Sequence, residues 1–304
     1  MLLHGEITDR GGLGSLVETF LPWFGLIIAM LLAVALWRRS AAAVVALLLL
    51  PVVAWLNLFG GMLLDKSQPG GDLTVVSHNV NAENPDPVGT ARELAASGAD
   101  LLALEEMTPQ TTVVYEQALA RAYPFHTVQG TVGLWSRLPL SHSRSVDVLR
   151  GNVGPLAKTR KAEDLPVDPP RGLRATVATE RGPLAVYVAH LGSVRLMPRG
   201  GFWTDSRDAG AVALAKAVVA ERNERVVVLG DMNGTVDDRV FRGLTSRLRS
   251  AQEAAGDGFG FSWPASFPMA RIDQILVRGV QPKSSWVLPA TGSDHLPVAA
   301  RISW

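Results

Sequence analysis

Arg225-Val226-Val227-Val228-Leu229-Gly230-Asp231-Met232-Asn233-Gly234 carries four apolar residues into a glycine, followed by a carboxylate and a carboxamide two positions apart. The β-branched run reads as a buried strand, and Gly230 marks the point where its backbone turns out of the sheet. If strand geometry persists, Asp231 and Asn233 point to the same side. Asn233-Gly234 is equally a strong hairpin signal. The stretch alone is balanced between a turn and a site, and the decision rests on whether other segments supply partners for Asp231.

Composition narrows the classes. The 304 residues are 47% hydrophobic and 19% charged, with a net charge of +1 and no cysteine. Thiol catalysis, disulfides and thiolate metal sites are excluded. A near-neutral chain has no global basic field of the kind that drives non-specific nucleic-acid binding. The apolar content is concentrated at the start, which divides the chain into an N-terminal membrane segment (1–64), a Pro/Gly linker (65–72) and a catalytic domain (73–304).

Within the first part, 21–37 and 41–64 carry no charge and read as two spans joined by Arg38-Arg39-Ser40, a transmembrane hairpin. A signal peptide predicts one shorter apolar region with a cleavage site instead. Trp23 and Trp37 stand at span ends, where interfacial aromatics belong. The positive-inside rule assigns Arg38 and Arg39 to the cytoplasm, which puts everything after Asp65 outside the cell. Met1-Leu2-Leu3-His4 reads as the tail of a further span. The linker is short enough to keep the soluble domain near the headgroups.

The soluble part alternates strands with a few helices. Strands are expected at Leu73–Val76, Leu101–Leu104, Phe125–Gln129, Val132–Ser136 and Ser143–Leu149. Leu173–Thr179 and Leu184–His190 form a hairpin, and the last strands are Ile272–Val277, Lys283–Leu288 and Pro297–Ile302. Helices are expected at Asp86–Ser97 (Asp86 as N-cap, Pro87 at the first helical position), Pro109–Arg121, Asp205–Asn223 and Val236–Leu248. The proline-rich stretch Gly151–Arg171, with Lys158, Arg160 and Lys161, is a solvated connection or a substrate-binding loop. The pattern predicts an α/β fold, a sandwich of two packed sheets with outer helices.

Polar residues recur at the strand ends: Asn79, Glu106, His190, Asp231 with Asn233, and Asp294 with His295. Asp273 lies inside an apolar strand, where an unpaired carboxylate is costly. Ser77-His78-Asn79-Val80, Ala103-Leu104-Glu105-Glu106-Met107, Gly133-Leu134-Trp135-Ser136-Arg137, Ala189-His190-Leu191, Gly230-Asp231-Met232-Asn233, Arg271-Ile272-Asp273 and Gly292-Ser293-Asp294-His295-Leu296-Pro297 follow one another along the chain. This ordered set resembles the endonuclease/exonuclease/phosphatase superfamily over essentially all of 72–304. The resemblance implies a four-layer α/β sandwich of two mainly antiparallel sheets, a divalent metal, magnesium or alternatively manganese, as one or two ions, and hydrolysis of a phosphate ester or anhydride. It implies Glu106 as the principal metal ligand supported by Asn79, with Asp294 assisting the metal or His295. It further implies His295 as general base oriented by Asp273, and His190 on the leaving side. Asp231 would orient the nucleophile or hold a second ion, and Asn233 would donate to a phosphoryl oxygen. Two positions depart from many nuclease members: Asn81 stands where an acid is common, and Glu105 where Gln is common.

Three further stretches, Glu18–Gly25, Trp55–Gly61 and Phe261–Pro264, are similar to membrane-anchored teicoplanin-resistance proteins of actinobacteria. That likeness implies a role in resistance to lipoglycopeptide antibiotics, while an outward-facing site tethered beside the membrane makes a lipid-linked phosphate of the cell-wall carrier type the expected substrate, with no nucleic-acid partner expected. Arg171, Arg174 and Arg207 are candidates to hold a diphosphate, since arginine matches phosphate bidentately. The competing expectations are an extracytoplasmic nuclease or phospholipase-type enzyme, and a non-enzymatic membrane protein that binds or senses the antibiotic.

Overall fold

The strand opened by Val226 is apolar throughout because both of its faces are covered. In the computed structural model, which describes residues 10–149, 169–197 and 201–304, β10 (Val226–Asp231) turns Val227 and Leu229 into one core cluster and Val226 and Val228 into another. Alternation along a strand therefore separates two cores. The segment with Lys158, Arg160 and Lys161 and the Met1–His4 stretch lie outside the described residues.

Numbered along the chain, the strands are β1 (Leu73–Asn79), β2 (Leu101–Glu105), β3 (Phe125–Gln129), β4 (Val132–Ser136), β5 (Leu140–Ser145), β6 (Gly172–Thr179), β7 (Gly182–Ala189), β8 (Arg195–Met197), β9 (Gly201–Trp203), β10, β11 (Arg249–Ser250), β12 (Asp273–Arg278), β13 (Gln281–Val287) and β14 (Val298–Ser303). Two six-stranded sheets run β13-β14-β1-β2-β4-β3 and β11-β12-β10-β7-β6-β5. Each has one parallel pair near its centre, β1 with β2 and β10 with β7, and its other pairs are antiparallel. The four-layer sandwich expected from the sequence is the observed fold.

The parallel pairs require crossovers, and helices supply them. Pro87–Ala96 (α5) links β1 to β2, and Asp205–Val219 (α7) lies between β7 and β10. Asp86 caps α5 by accepting from the Gly89 N–H, with Pro87 at the first helical position. Ala91 and Leu94 of α5 and Tyr115 and Leu119 of Pro109–Leu119 (α6) close the outer face of the first sheet. Ala211, Leu214 and Val218 of α7 close that of the second.

Several boundaries differ from the sequence expectation. The helix expected over 236–248 is reduced to a 3-10 turn, Arg239–Phe241, and one α-turn, α8 (Arg242–Thr245). Asp238 is the reason: its N–H closes a turn onto Thr235 O at 3.1 Å, its extended backbone interrupts the helix, and its side chain caps Val240 N–H while pairing with Arg207. The strand expected over 143–149 begins earlier, at Leu140, because a register shift between Ser141 and Arg144 moves the pairing with β6. A short helix follows β11, α9 (Ala251–Ala255).

At the N-terminus, α1 (Leu13–Thr19) meets the apolar helix α2 (Phe24–Trp37) at a 66° bend across Leu21–Trp23. After the Arg38-Arg39-Ser40 turn, Ala41–Leu63 forms one apolar helix of 23 residues with mean hydropathy 2.4, long and apolar enough to cross a membrane. It contains α3 (Ala41–Leu47) and α4 (Val53–Phe59), joined by a π-helical turn at Pro51. By contrast α2 has 14 residues, about 21 Å of helix, and crosses a ~30 Å hydrocarbon layer only together with its flanks. The two arms pack back to back. A Cβ on Gly25 would come within 2.8 Å of the Trp55 indole, and Trp55 Nε1 donates to Pro22 O at 2.8 Å.

Candidate active site

The carboxyl ends of the two parallel pairs converge, and every strand-end residue singled out above except Asp294 becomes buried or half-buried by position alone. Asn79 closes β1, Glu106 follows β2, His190 follows β7 and Asp231 closes β10. Asp273 opens β12, and the antiparallel register pairs it directly with Asp231. One cleft is lined by Asn79, Glu106, His190, Asp231, Asn233, Asp294 and His295.

Local backbone chemistry shapes this end. Gly230 does not lead the chain out of the sheet: β10 continues through Asp231, and Gly230 has φ 144 with its Cα against the Ala189 carbonyl. A side chain there would strike β7, so glycine is needed for close strand approach. The turn comes later, at Asn233, with φ 48. Its N–H donates to Asp231 Oδ1 at 2.8 Å, and its Nδ2 donates to Leu191 O at 3.1 Å and to Asp231 Oδ2 at 3.3 Å. Asn233 is thus both a turn residue and a cleft residue.

Two buried carboxylates side by side need a cation between them, and His295 provides it. Its Nδ1 lies 2.9 Å from Asp273 Oδ2, and its Nε2 lies 3.8 Å from Asp231 Oδ2. Burial by itself disfavours the imidazolium, but Asp273 and then Asp231 outweigh it and lift the His295 pKa to about 10. Asp273 is held below the usual carboxylate range: burial opposes ionisation, and His295 with a 2.6 Å hydrogen bond from Ser262 Oγ overcomes it. Asp231 is pushed up, by burial first. His190 takes the opposite state, since burial drives it down to about 4 although Asp231 Oδ2 is 3.7 Å from its Nε2. A charged and a neutral imidazole thus face the same carboxylate, the separation of protonation states that acid–base chemistry uses.

Asp231, Asp273 and His295 also meet the spacing of a metal-holding group. An imidazolium already neutralises that pair, so the better cation donors are oxygens elsewhere in the cleft. Asn79 is anchored by Nδ2 donating to Asp231 at 3.0 Å while its Oδ1 accepts from Asn81 N at 3.0 Å. Asp294 is exposed at the rim. Glu106 has φ 65 and lines the cleft, half-buried. An all-oxygen set of this kind fits a hard divalent ion.

The three arginines separate. Arg171 stays beside the cluster: its carbonyl accepts from His190 N at 2.8 Å and its Nε has no partner among the described residues. Arg174 faces the outer layer, with Nε donating to Glu221 Oε2 at 2.9 Å and Nη1 to Thr176. Arg207 is buried behind Asn233, its Nη2 3.0 Å from Asp238 and 2.7 Å from Asp208. Neither of the last two is presented to the cleft.

Arg207 instead belongs to a clamp that ties α1 to the domain. Its Nη1 donates to Ser15 Oγ at 3.0 Å and to Asn233 O at 3.4 Å, while Ser15 donates to Asp238 at 2.5 Å. Glu18, fully buried, pairs with Arg239 Nη2 at 3.0 Å. This docking carries Thr19 and Phe20 into the cleft wall. Phe202, Trp263 and Ile272 complete that wall. Sequence reasoning gave none of the five a role in the cleft, because apolar and small residues carry no chemical signature, although Thr19, Phe20, Trp263 and Ile272 lay in stretches already singled out. Ser262 and Ser293 were missed as well; Ser293 Oγ donates to Asn79 O at 2.6 Å and accepts from His295 N.

A scan against family models matches residues 76–295 to the endonuclease/exonuclease/phosphatase family. The chain belongs to that family. Members of the endonuclease/exonuclease/phosphatase family are phosphoester hydrolases, and the cleft above has the donors and proton-transfer groups such a reaction needs. Similar solved structures include D. rerio TDP2 complexed with single strand DNA product, at 18% identity and TM-score 0.59, covering 76% of this chain and 99% of that one. A mannosyl-6-phosphatase from Bacteroides thetaiotaomicron VPI-5482 aligns at 16% identity and TM-score 0.57, covering 77% and 100%. The beta toxin of Staphylococcus aureus aligns at 15% and 0.57, covering 77% and 100%. At these identities the likeness is one of fold. No curated protein matches the chain. Residues before 76, with α1 and the apolar hairpin, lie outside the family match.

The departure at Glu105 has a physical account. Its side chain is fully buried, Ser77 Oγ donates to Oε1 at 2.9 Å, and Oε2 has no partner among the described residues. Burial, then the charge of Asp273, raise its pKa well above the ordinary value. A protonated Glu is close to Gln in shape and charge. A raised folded pKa means stability present below the unfolded value, near 4.5, is lost as pH rises toward the folded one. Glu105→Gln, which cannot ionise, is therefore expected to melt higher than the parent at pH 8, by a larger margin than at pH 5. The comparison is made in chelator, and a variant melting at or below the parent at pH 8 contradicts the assignment.

Proposed function

We propose that the chain is a membrane-anchored, divalent-metal-dependent phosphohydrolase acting at the outer face of the cytoplasmic membrane on a polyprenyl phosphate or diphosphate of the cell-wall carrier type. The observation that carries this reading is the composition of the cleft wall. Thr19 and Phe20 stand beside Glu106 and His295 and lead within a few residues into the apolar helix α2. An active site this close to a span meets lipid headgroups before any other phosphate. Both outer ends of the hairpin touch the domain, through Trp23 Nε1 to Met269 O at 2.8 Å and Lys66 N to Gly256 O at 3.2 Å. With Arg38 and Arg39 at the opposite end, the positive-inside rule supports an external domain. The three stretches that resemble teicoplanin-resistance proteins of actinobacteria add a role in lipoglycopeptide resistance to this proposal.

In this reading Asn79, Glu106 and Asp294, with Asp231 adjacent, would hold magnesium or manganese, which would supply neutralisation of phosphate charge and a more acidic water. His295, fixed by Asp273, would accept the proton of the attacking water from its neutral form, and Asp231 would orient that water. His190 would serve the leaving side, and Arg171, whose buried Nε has no partner among the described residues, would be the candidate to meet a second phosphate.

Phosphate release from a polyprenyl diphosphate, phosphatidic acid, inositol phosphate and plasmid DNA by the full-length protein tests the substrate class. The polyprenyl diphosphate is expected to be preferred, with activity lost in chelator and restored by magnesium. Preferential cleavage of DNA or inositol phosphate overturns the reading. So does teicoplanin resistance that survives both Glu106→Ala and His295→Ala in cells, since a non-enzymatic binder needs neither side chain.

A further inference from the structure

A second cavity, of about 500 Å³, adjoins the active-site cleft. It is lined by Pro22, Trp23, Ile28 and Ala29 from the first arm of the hairpin, by Val52 and Trp55 from the second, and by Phe259 and Phe261 from the domain. Its volume is in the range of ordinary ligand sites, yet its lining offers no charged or amide side chain.

The cavity shares two walls with the cleft. Thr19 and Phe20 line the cleft while Pro22 and Trp23 line the cavity. Phe259 and Phe261 line the cavity while Trp263 lines the cleft, and between them Ser262 hydrogen-bonds Asp273. The aromatic wall is preassembled: Trp23 stacks on Phe261 at 5.7 Å between centroids, and Phe261 on Phe259 at 5.2 Å. Both indole N–H groups are satisfied away from the cavity, by Met269 O and Pro22 O, so the ring faces are left as apolar surface.

We infer that this groove binds the hydrocarbon chain of the lipid-phosphate substrate and so sets chain specificity while the cleft acts on the phosphate. The inference rests on the lipid-phosphate reading above. A free phosphate ester has nothing to place there, and a bulk bilayer lipid has no reason to prefer a groove that continues into a polar cleft. A prenyl chain joined to a phosphate occupies both at once, with the bend at Leu21–Trp23 marking the junction.

The test compares kcat/KM for a polyprenyl diphosphate and for isopentenyl diphosphate, whose short chain cannot fill the groove, using the full-length protein in detergent. Ala29 is an exposed groove residue, and Ala29→Trp fills the space from the lipid side without disturbing a packed contact. The ratio of long-chain to short-chain kcat/KM is expected to fall at least ~10-fold, the loss for expelling a few methylenes from an apolar site. Leu26→Trp, one turn earlier and also exposed, repeats the test. Val34→Trp, exposed on the opposite face of the same helix, controls for bulk. A ratio unchanged in both groove variants, or lowered equally in Val34→Trp, overturns the groove while leaving the lipid reading standing. A parent protein that hydrolyses neither diphosphate overturns the lipid reading itself.

Discussion

His295→Ala is expected to lower kcat/KM for phosphate release by about 10³-fold, within the usual range for removing a positioned acid–base group. The side chain is the only imidazole among the described residues that contacts both Asp231 and Asp273, so its loss removes a proton carrier and also leaves two buried carboxylates facing each other. Asp273→Asn separates these effects. The amide retains the shape and can still accept from Ser262, but it removes the charge that holds His295 at about 10. A loss of roughly 10²–10⁴-fold is expected with folding intact, as near-ultraviolet circular dichroism would report. Either variant retaining activity within about threefold would exclude the dyad from catalysis.

Arg207→Ala carries the largest expected effect on stability. The guanidinium is 1% exposed and Asp238 is equally buried, with Asp208 and Ser15 on the same group. Breaking such a network from one side leaves buried charge uncompensated, at a cost of about 3–5 kcal/mol. For a domain of this size that is a fall in melting temperature on the order of 10 °C. Arg207→Lys keeps the charge but not the fork that reaches Ser15 and both carboxylates, so an intermediate loss is expected. The measurement also decides between two roles for the residue. A phosphate-binding arginine would raise KM at an unchanged melting temperature; the clamp predicts the reverse order, with stability lost first and α1 released from the domain.

Much of the molecule follows from local sequence. Val226–Leu229 had to be a strand covered on both sides, because a run of β-branched residues with no polar alternation cannot face water. Asp86-Pro87 had to start a helix, because the carboxylate caps and the proline lacks only an N–H that is unpaired there anyway. The 23 apolar residues of Ala41–Leu63 had to form a helix of membrane length. The strand-end residues were recognisable as chemistry because each is polar where the pattern asks for a loop or a core residue.

The remainder depended on which strands became neighbours. Asp231 and Asp273 are 42 positions apart and meet only through the β10–β12 register. Once they meet, the same proximity sets His295 charged, His190 neutral and Glu105 protonated, none of which is a property of those residues alone. Arg174 and Arg207 carried the same sequence signal as Arg171, a guanidinium near a motif, and tertiary packing committed them to Glu221 and to Asp238. The N-terminal helix was silent in sequence, seven residues with no amphipathic run, and docks because Glu18 and Ser15 find buried partners more than 190 positions away. Periodicity and propensity are local and survive in the sequence. Pairing, burial and proton occupancy are sums over neighbours, and only the folded chain assigns the neighbours.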